Sequence, residues 1–402
     1  MTAPVSPTDR PVLRLKPKAN ARAIRRGAPW VFDNELVMDR RSKAIAPGSI
    51  ATLEDGERTP LGTVAVNPGS KIVARMLDRD PSATIDTAWF VNRFSRALDL
   101  RERLYQNPFY RLVHAEGDGL PGVIVDRFGD TAVVQANAAW ADTHLEMLCD
   151  ALVQVTGVTH VLKNAGGRGR ALEGLDDADQ VLRGEAPQGP VPVEMNGAIY
   201  MADLTGGQKT GLFYDQRPNH IFVAGLAKGT RVLDVFSHVG GFALAALAGG
   251  AAQATAVDGS EPALRLACEG AERMGAAERF ATMHGDAFAM LEALGAGEAR
   301  FDVVICDPPA FAPNKPALDK GLRAYERVAR LAAPLVAEGG ILVLCSCSHA
   351  ADLSAFTGAC LRGIGRAHRW AQLIHTGGAG PDHPLLPQLA ESGYLKALAF
   401  RL

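Results

Sequence analysis

From about Gly229 to Ile364 short apolar runs alternate with runs of helical period, and the apolar runs end on polar residues or turns. Strands are expected at Arg231–Phe236, Gln253–Asp258, Phe301–Cys306 and Gly340–Ser346, with a further strand just before His284. Helices are expected at Gly241–Gly249, Pro262–Met274, Phe288–Leu294, Asp319–Ala337 and Ala350–Ile364. Such alternation predicts an α/β domain, a mostly parallel sheet with helices on both faces. Sheets of this kind bind ligands at the carboxyl ends of their strands. The residues that end each run are therefore where chemistry is to be read.

Those ends carry three acids and a glycine pair. Asp234 lies in the first strand, and Gly240-Gly241 open the helix after it. The glycines let a ligand approach the backbone, but the run is not G-x-G-x-x-G, which weakens a dinucleotide reading. Asp258 ends the second strand, where a carboxylate can accept both ribose hydroxyls of an adenosine. Asp286 follows the third and can receive an adenine amino group. Any one of these acids alone reads more simply as a helix cap. Three at successive strand ends favour a bound adenosyl group.

Asp307-Pro308-Pro309 leaves the next strand. Its prolines fix an extended turn and remove two amide donors, which leaves carbonyls to accept from an exocyclic amine. Phe311 can stack on a planar base; its simpler reading is core. Cys347 follows Ile341-Leu-Val-Leu-Cys-Ser. Alternation puts Cys345 and Cys347 on one face and Ser346 and Ser348 on the other. A lone cysteine is more often core than catalytic. The rim position opposite Asp-Pro-Pro makes Cys347 a candidate nucleophile, whereas Cys345 and Cys306 read as core.

The first half of the chain differs. Pro11–Leu15, Ser49–Leu53, Gly62–Val66 and Lys71–Leu77 are short strand-like runs separated by Pro-Gly turns, and they read as a small β-barrel. A helix is expected over 84–106. Strands at Tyr110–His114, Gly122–Asp126 and Thr131–Gln135, a helix over 139–156 and strands near 158–163 and 191–201 make an α+β module. Residues 1–43 hold ten Lys/Arg against four acids, a net of +6, so the remainder of a chain of net −2 carries −8. A basic arm suits a polyanion, and it equally suits an ordinary solvated surface. Six scattered cysteines, no apolar run near the ~18 residues of a membrane span, and no secretory leader lead us to expect a cytoplasmic protein.

Over nearly its whole length the chain resembles the PUA-domain-containing 23S rRNA cytosine-5 methyltransferases, which are class I enzymes. The matching segments are Arg25-Arg-Gly-Ala-Pro-Trp-Val-Phe32, Glu116–Gly122, Gln208–Arg217, Asp234–Phe242, Asp307–Phe311, Ser346-Cys-Ser348, Asp382-His-Pro384 and Gly393-Tyr-Leu-Lys396. The resemblance implies a PUA barrel (1–78), a β-β-α-β-β central module (79–192) and a Rossmann-like methyltransferase domain (193–402). It departs in one place: the family usually has Lys after Asp-Pro-Pro, and here it is Ala310.

The resemblance further implies S-adenosylmethionine as cofactor, with Asp234, Phe236, Ser237, Gly240, Asp258, Gly259, Asp286, Asp307 and Gln216 around it. It implies 23S rRNA as partner, no membrane, and leaves a homodimer open. Lys209, Arg217, Pro308, Phe311, Arg25, Arg26 and Trp30 become the RNA-side candidates. Cytosine C5 is a poor nucleophile. A Cys347 thiolate added at C6 would make C5 enamine-like, with Asp307 on the pyrimidine edge. A base must remove the C5 proton, and His383 is a candidate. The target must be unpaired or flipped out. Two rivals stay open: a purine amino-group methyltransferase, which needs no Cys347, and a non-catalytic RNA-binding protein that keeps the fold.

Overall fold

The computed structural model describes residues 10–206, 211–297 and 299–402. They form two compact units. The first contains 10–188 and 381–392, and the second 189–206, 211–380 and 393–402.

In the first unit β1 (Val12–Arg14), β2 (Trp30–Phe32), β3 (Ser49–Glu54), β4 (Pro60–Val66) and β5 (Ile72–Asp78) form a sheet in the order β1-β3-β4-β5-β2. β1 runs parallel to β3 and the other pairings are antiparallel. Leu13, Val31, Leu53, Val64 and Val73 are sealed inside it. β2 is a strand that the pattern did not announce, because three residues are too few to show a period of two.

A second sheet follows, of β6 (Phe109–His114), β7 (Val123–Phe128), β8 (Thr131–Ala136), β9 (His160–Lys163) and β10 (Gln180–Arg183), in the order β10-β9-β8-β7-β6. β6, β7, β8, the helix Leu145–Thr156 and β9 stand where strands and a helix were expected, but β10 was not expected, and the strand expected near 191–201 for this module lies in the second unit instead. The helix Thr87–Leu104 starts where the Asp86 side chain accepts the Trp89 amide. It buries Phe90, Phe94, Ala97 and Arg101 along one stripe. Phe90 stacks on Trp140, with ring centroids 5.9 Å apart.

The second unit begins with a hairpin, β11 (Val191–Met195) and β12 (Ala198–Ala202). One strand was expected here. Asn196 and Gly197, at φ +56° and +76°, instead turn the chain back on itself. The main sheet has seven strands: β13 (Arg231–Val235), β14 (Gln253–Asp258), β15 (Phe280–His284), β16 (Phe301–Cys306), β17 (Val336–Ser346), β18 (Gln372–Gly377) and β19 (Lys396–Arg401). Their order is β15-β14-β13-β16-β17-β19-β18, and only β19 runs against its neighbours.

The chain winds one way from β13 to β15 and the other way from β16, so the crevice at the carboxyl ends of β13 and β16 is the switch point. The helix Gly241–Ala248 after β13 is buried on nearly every side, as its unbroken apolar sequence requires. The helix expected to reach Ala337 stops at Ala332. A short 3₁₀ turn containing Pro334 follows, and β17 starts at Val336.

Candidate active site

β13 delivers Asp234 to the interior, fully buried. Its Oδ2 accepts the amides of Phe242 (3.1 Å) and Ala243 (2.9 Å), so it anchors the first turn of the Gly241–Ala248 helix. Burial pushes its carboxyl up to about 7, against the pull of those two amides. Between strand and helix the chain makes a tight turn in which Phe236, His238 and Gly240 all have positive φ. At Gly240 a Cβ would meet Ala267 and Leu244 at 3.1 Å, so glycine is needed for space as well as for φ. Ser237 Oγ and Asp234 Oδ1 are buried here without a protein partner.

The turn is held from below. Tyr200 donates its hydroxyl to Gly241 O (3.1 Å). His220 meets the Phe242 ring edge-on at 4.5 Å and lies alongside Tyr200 at 6.2 Å. Burial pushes His220 down to about 3, so its ring is neutral, and Nδ1 has no partner. Neither Tyr200 nor His220 was singled out by the sequence. An aromatic among apolar strand residues and a lone histidine in a helix give no local sign of what they will touch.

The other two acids split between roles. Asp258, half-buried, accepts the His238 amide at Oδ2 (2.8 Å) and the Ser260 amide at Oδ1 (2.8 Å), beside exposed Gly259. It therefore fixes two loops. Asp286 is exposed and caps the helix Ala287–Ala296 through the Ala289 amide. The simpler cap reading thus describes a real part of each acid's work.

Asp307 follows β16 and accepts Gln216 Nε2 at 2.9 Å. Gln216 is buried, and its Oε1 accepts from Asn219 (2.6 Å). Pro308 is buried, Pro309 and Ala310 are exposed, and Phe311 is half-buried. Phe311 lies among the rings of Phe236 (6.4 Å), Phe288 (6.1 Å) and Tyr325 (5.0 Å).

Cys347 comes one residue past β17 and is half-buried, whereas Cys306 and Cys345 are sealed. Burial pushes the thiols of both buried cysteines far up, which makes them inert. Ser346 and Ser348, on either side of Cys347, are fully buried. The Tyr325 hydroxyl lies 2.7 Å from Ser348 Oγ and accepts from Ser346 Oγ at 2.9 Å. Ser348 Oγ also accepts the Ala312 amide (2.9 Å), which ties the loop after Asp-Pro-Pro to the end of β17. On the β19 side Lys396 Nζ donates to Ser348 O (2.6 Å) and Ala351 O (2.7 Å).

The RNA-side candidates are divided between the two units. Arg217 heads the helix Arg217–Leu226, is 5% exposed, and lies over the Tyr214 ring at 5.6 Å. Lys209 lies outside the described residues. In the first unit Arg25 pairs with Asp55 and Arg26 is exposed. Trp30 donates to Glu116 (2.8 Å) under the Arg75 guanidinium. Arg10, counted in the basic arm, is 7% exposed and donates to Thr63. Arg14 pairs with Glu54. The arm's outward charge is smaller than its sequence count. His383, weighed as a base, is buried in the first unit, 3.0 Å from Asp382 Oδ1 and 4.9 Å between ring centroids from His114.

Strand order places the glycine turn and the strand-end acids at the switch point, where sheets of this class bind ligands. The chain belongs to the S-adenosylmethionine-dependent methyltransferases, whose family model matches residues 140–401, and a PUA-like domain matches 13–79. It is 33% identical to Ribosomal RNA large subunit methyltransferase I of Cronobacter sakazakii, over 95% of this chain and 97% of the relative. Identity to the protein of that name from Escherichia coli O157:H7 is also 33%, over 96% and 98%. The methyltransferase SMU.776, solved with S-adenosylhomocysteine, shares the fold at TM-score 0.83 and 20% identity, over 98% of this chain and 100% of that one. A methyltransferase structure from Streptococcus mutans gives TM-score 0.82 at 20% identity, over the same shares.

The residues fit the cofactor. Ser237 Oγ and Asp234 Oδ1 are buried polar atoms that lack a protein partner, and the Gly240 turn is bare of side chain. S-adenosylmethionine is the cofactor of this enzyme. No helix is long and apolar enough to cross a membrane, and no group of three or more metal-binding side chains occurs, among the described residues.

Proposed function

We propose that this chain methylates cytosine C5 in 23S ribosomal RNA, with Cys347 as nucleophile. The relatives' name supports the large-subunit RNA substrate. The observation that carries the chemistry is the contrast among cysteines: Cys347 is half-buried at the rim of β17, while Cys306 and Cys345 behind it are sealed.

S-adenosylmethionine, when bound, supplies an electrophilic methyl group. Asp234, Phe236, Ser237, Gly240, Asp258, Gly259, Asp286, Asp307 and Gln216 would hold it around the crevice. Cys347 Sγ, as thiolate, forms a bond to cytosine C6. The pyrimidine electrons then make C5 nucleophilic, so that C5 would bond the methyl carbon while the carbon–sulfur electrons leave with S-adenosylhomocysteine. Asp307, held by Gln216, orients the pyrimidine edge, and Phe311 and Pro308 give it a flat wall. Loss of the C5 proton then expels the thiolate and restores the aromatic ring. Lys209, Arg217, Arg25, Arg26 and Trp30 are the proposed RNA contacts.

The test is transfer of labelled methyl to protein-free 23S rRNA by wild type and Cys347→Ala, followed by nucleoside analysis. Label in 5-methylcytidine that disappears with the alanine is expected. Label in a purine, or undiminished transfer by Cys347→Ala, would overturn the thiolate reading and favour amino-group transfer.

A further inference from the structure

Lys396 is the least expected residue of the second unit. It begins β19, opposite Ser346 in the antiparallel register with β17, and is 7% exposed. Burying an ammonium is costly unless its donors are met and its charge is compensated. Two of its three donors go to Ser348 O (2.6 Å) and Ala351 O (2.7 Å), the carbonyls of the turn that carries Cys347. Among the described residues no carboxylate is within ion-pair distance of it. A neutral side chain would have served a purely structural clip at lower cost, so retention of the charge asks for an anion.

The groups around this turn come from several elements. The helix Leu318–Ala332 gives Tyr325, whose phenol is raised by burial and bonded to both serines. Asp352 caps the helix Leu353–Arg366 and is exposed. Asp307, after β16, is occupied by Gln216. His349 lies in the turn itself and is exposed. Cys347, half-buried in the turn that Lys396 holds, can become an anion there. We infer that Lys396 is the cation that holds Cys347 as a thiolate, as well as a clip that fixes the turn. This rests on Cys347 being the nucleophile. The electrostatics agree: burial lowers the Lys396 ammonium, and Cys347 and then Asp352 oppose that. The Cys347 S–H loses its proton to solvent or to a base, and Lys396 keeps its own.

The experiment measures the rate of Cys347 alkylation by iodoacetamide against pH, read at the Cys347 peptide by mass spectrometry in the full chain. It compares wild type, Lys396→Gln and Lys396→Arg, with His349→Gln as control for the exposed imidazole. Lys396→Gln keeps a donor for the carbonyls and removes the charge. Its midpoint is expected to rise by about one pH unit or more, and the pH profile of methyl transfer to move with it. Lys396→Arg should stay near wild type, and His349→Gln should leave the midpoint in place. Cofactor binding reports folding, and Lys396→Met serves if Lys396→Gln does not fold. An unmoved midpoint in the neutral variant, with Cys347→Ala inactive, would overturn the role of Lys396 and leave the nucleophile standing. Full transfer by Cys347→Ala would instead overturn the nucleophile reading, and this inference with it.

Discussion

In the first unit Arg101, fully buried, places Nη1 and Nη2 on the two oxygens of Asp118 at 2.6 and 2.8 Å. Its remaining donors reach Arg111 O and Asp382 O. Arg111 does the same for buried Asp126, and Arg170 reaches both Asp142 and Asp176. In the second unit Asp234 is buried against amides, His220 against rings, and Lys396 against carbonyls. The first unit matches these charges with charges, which fixes a structure, and Arg93 Nε is an exception left without a partner. The second compensates its buried groups only in part, and Ser237 Oγ and Asp234 Oδ1 stay open. Incomplete satisfaction at strand ends is what a site for a polar ligand requires.

The largest test of this contrast is Arg101→Ala. It strands the Asp118 carboxylate in the interior, and breaking such a pair costs about 3–5 kcal/mol. Denaturant unfolding should show that loss, with cofactor affinity little changed. A loss below about 1 kcal/mol would mean that the matched network does not hold the first unit together.

Asp234→Ala is expected to cost less stability, about 2–3 kcal/mol, because two helix amides lose a buried acceptor. Here the cofactor affinity should collapse as well, since the turn through Gly240 loses its anchor. Calorimetric titration with S-adenosylhomocysteine separates the two effects. Retained affinity would make Asp234 a fold element only.

How far the sequence disclosed this difference depends on the range of the interaction. Asp258, Asp307 and Cys347 stood out as candidates because each ends an apolar run and Asp234 because it interrupts one, and the sheet was legible from alternation. The Asn196-Gly197 hairpin was overlooked although its signal is local. β18 and β19 were not foreseen: β18 is exposed at the sheet edge, and β19 returns antiparallel after a long excursion. Lys396 entered only as the last residue of the matching segment Gly393-Tyr-Leu-Lys396, and its carbonyl partners lie 48 and 45 residues away. Tyr325 looked like any apolar-face residue of its helix. Long-range partners of this kind leave no periodic trace.

His220 gives a finer test by pH. Its folded value, about 3, lies below the ordinary 6.5. The unfolded state therefore binds more protons between these values, and His220 contributes stability that is present above 6.5 and lost as pH falls toward 3. Asp234 has the opposite sign. Its folded value, about 7, lies above the ordinary 3.8, so its contribution is present at low pH and lost as pH rises through 7. In His220→Gln the wild-type advantage should shrink by about 1–2 kcal/mol from pH 7 to pH 5. The constant offset between the proteins carries the lost ring packing, so only its pH dependence bears on the point. A pH-independent offset would mean that His220 is not held neutral by burial.

The smallest change in stability is expected from Tyr325→Phe, and it bears most directly on how the second unit positions Cys347. The substitution keeps the ring against Phe311 and Phe356 and removes one hydroxyl. Ser346 and Ser348 can still bond to each other through the Ser348 amide, so the cost should be about 1 kcal/mol. The turn behind Cys347 and the loop after Asp-Pro-Pro would then be joined by the Ala312 to Ser348 bond with no third member to brace it. Methyl transfer should fall about tenfold, equivalent to about 1.4 kcal/mol in the barrier, with cofactor affinity unchanged. Lys396→Gln should move the pH midpoint of Cys347 alkylation, whereas Tyr325→Phe should leave it in place. A phenylalanine variant that turns over at the wild-type rate would show that the serine–tyrosine cluster serves the core alone. The positioning of Cys347 would then rest on the β19 side of the sheet.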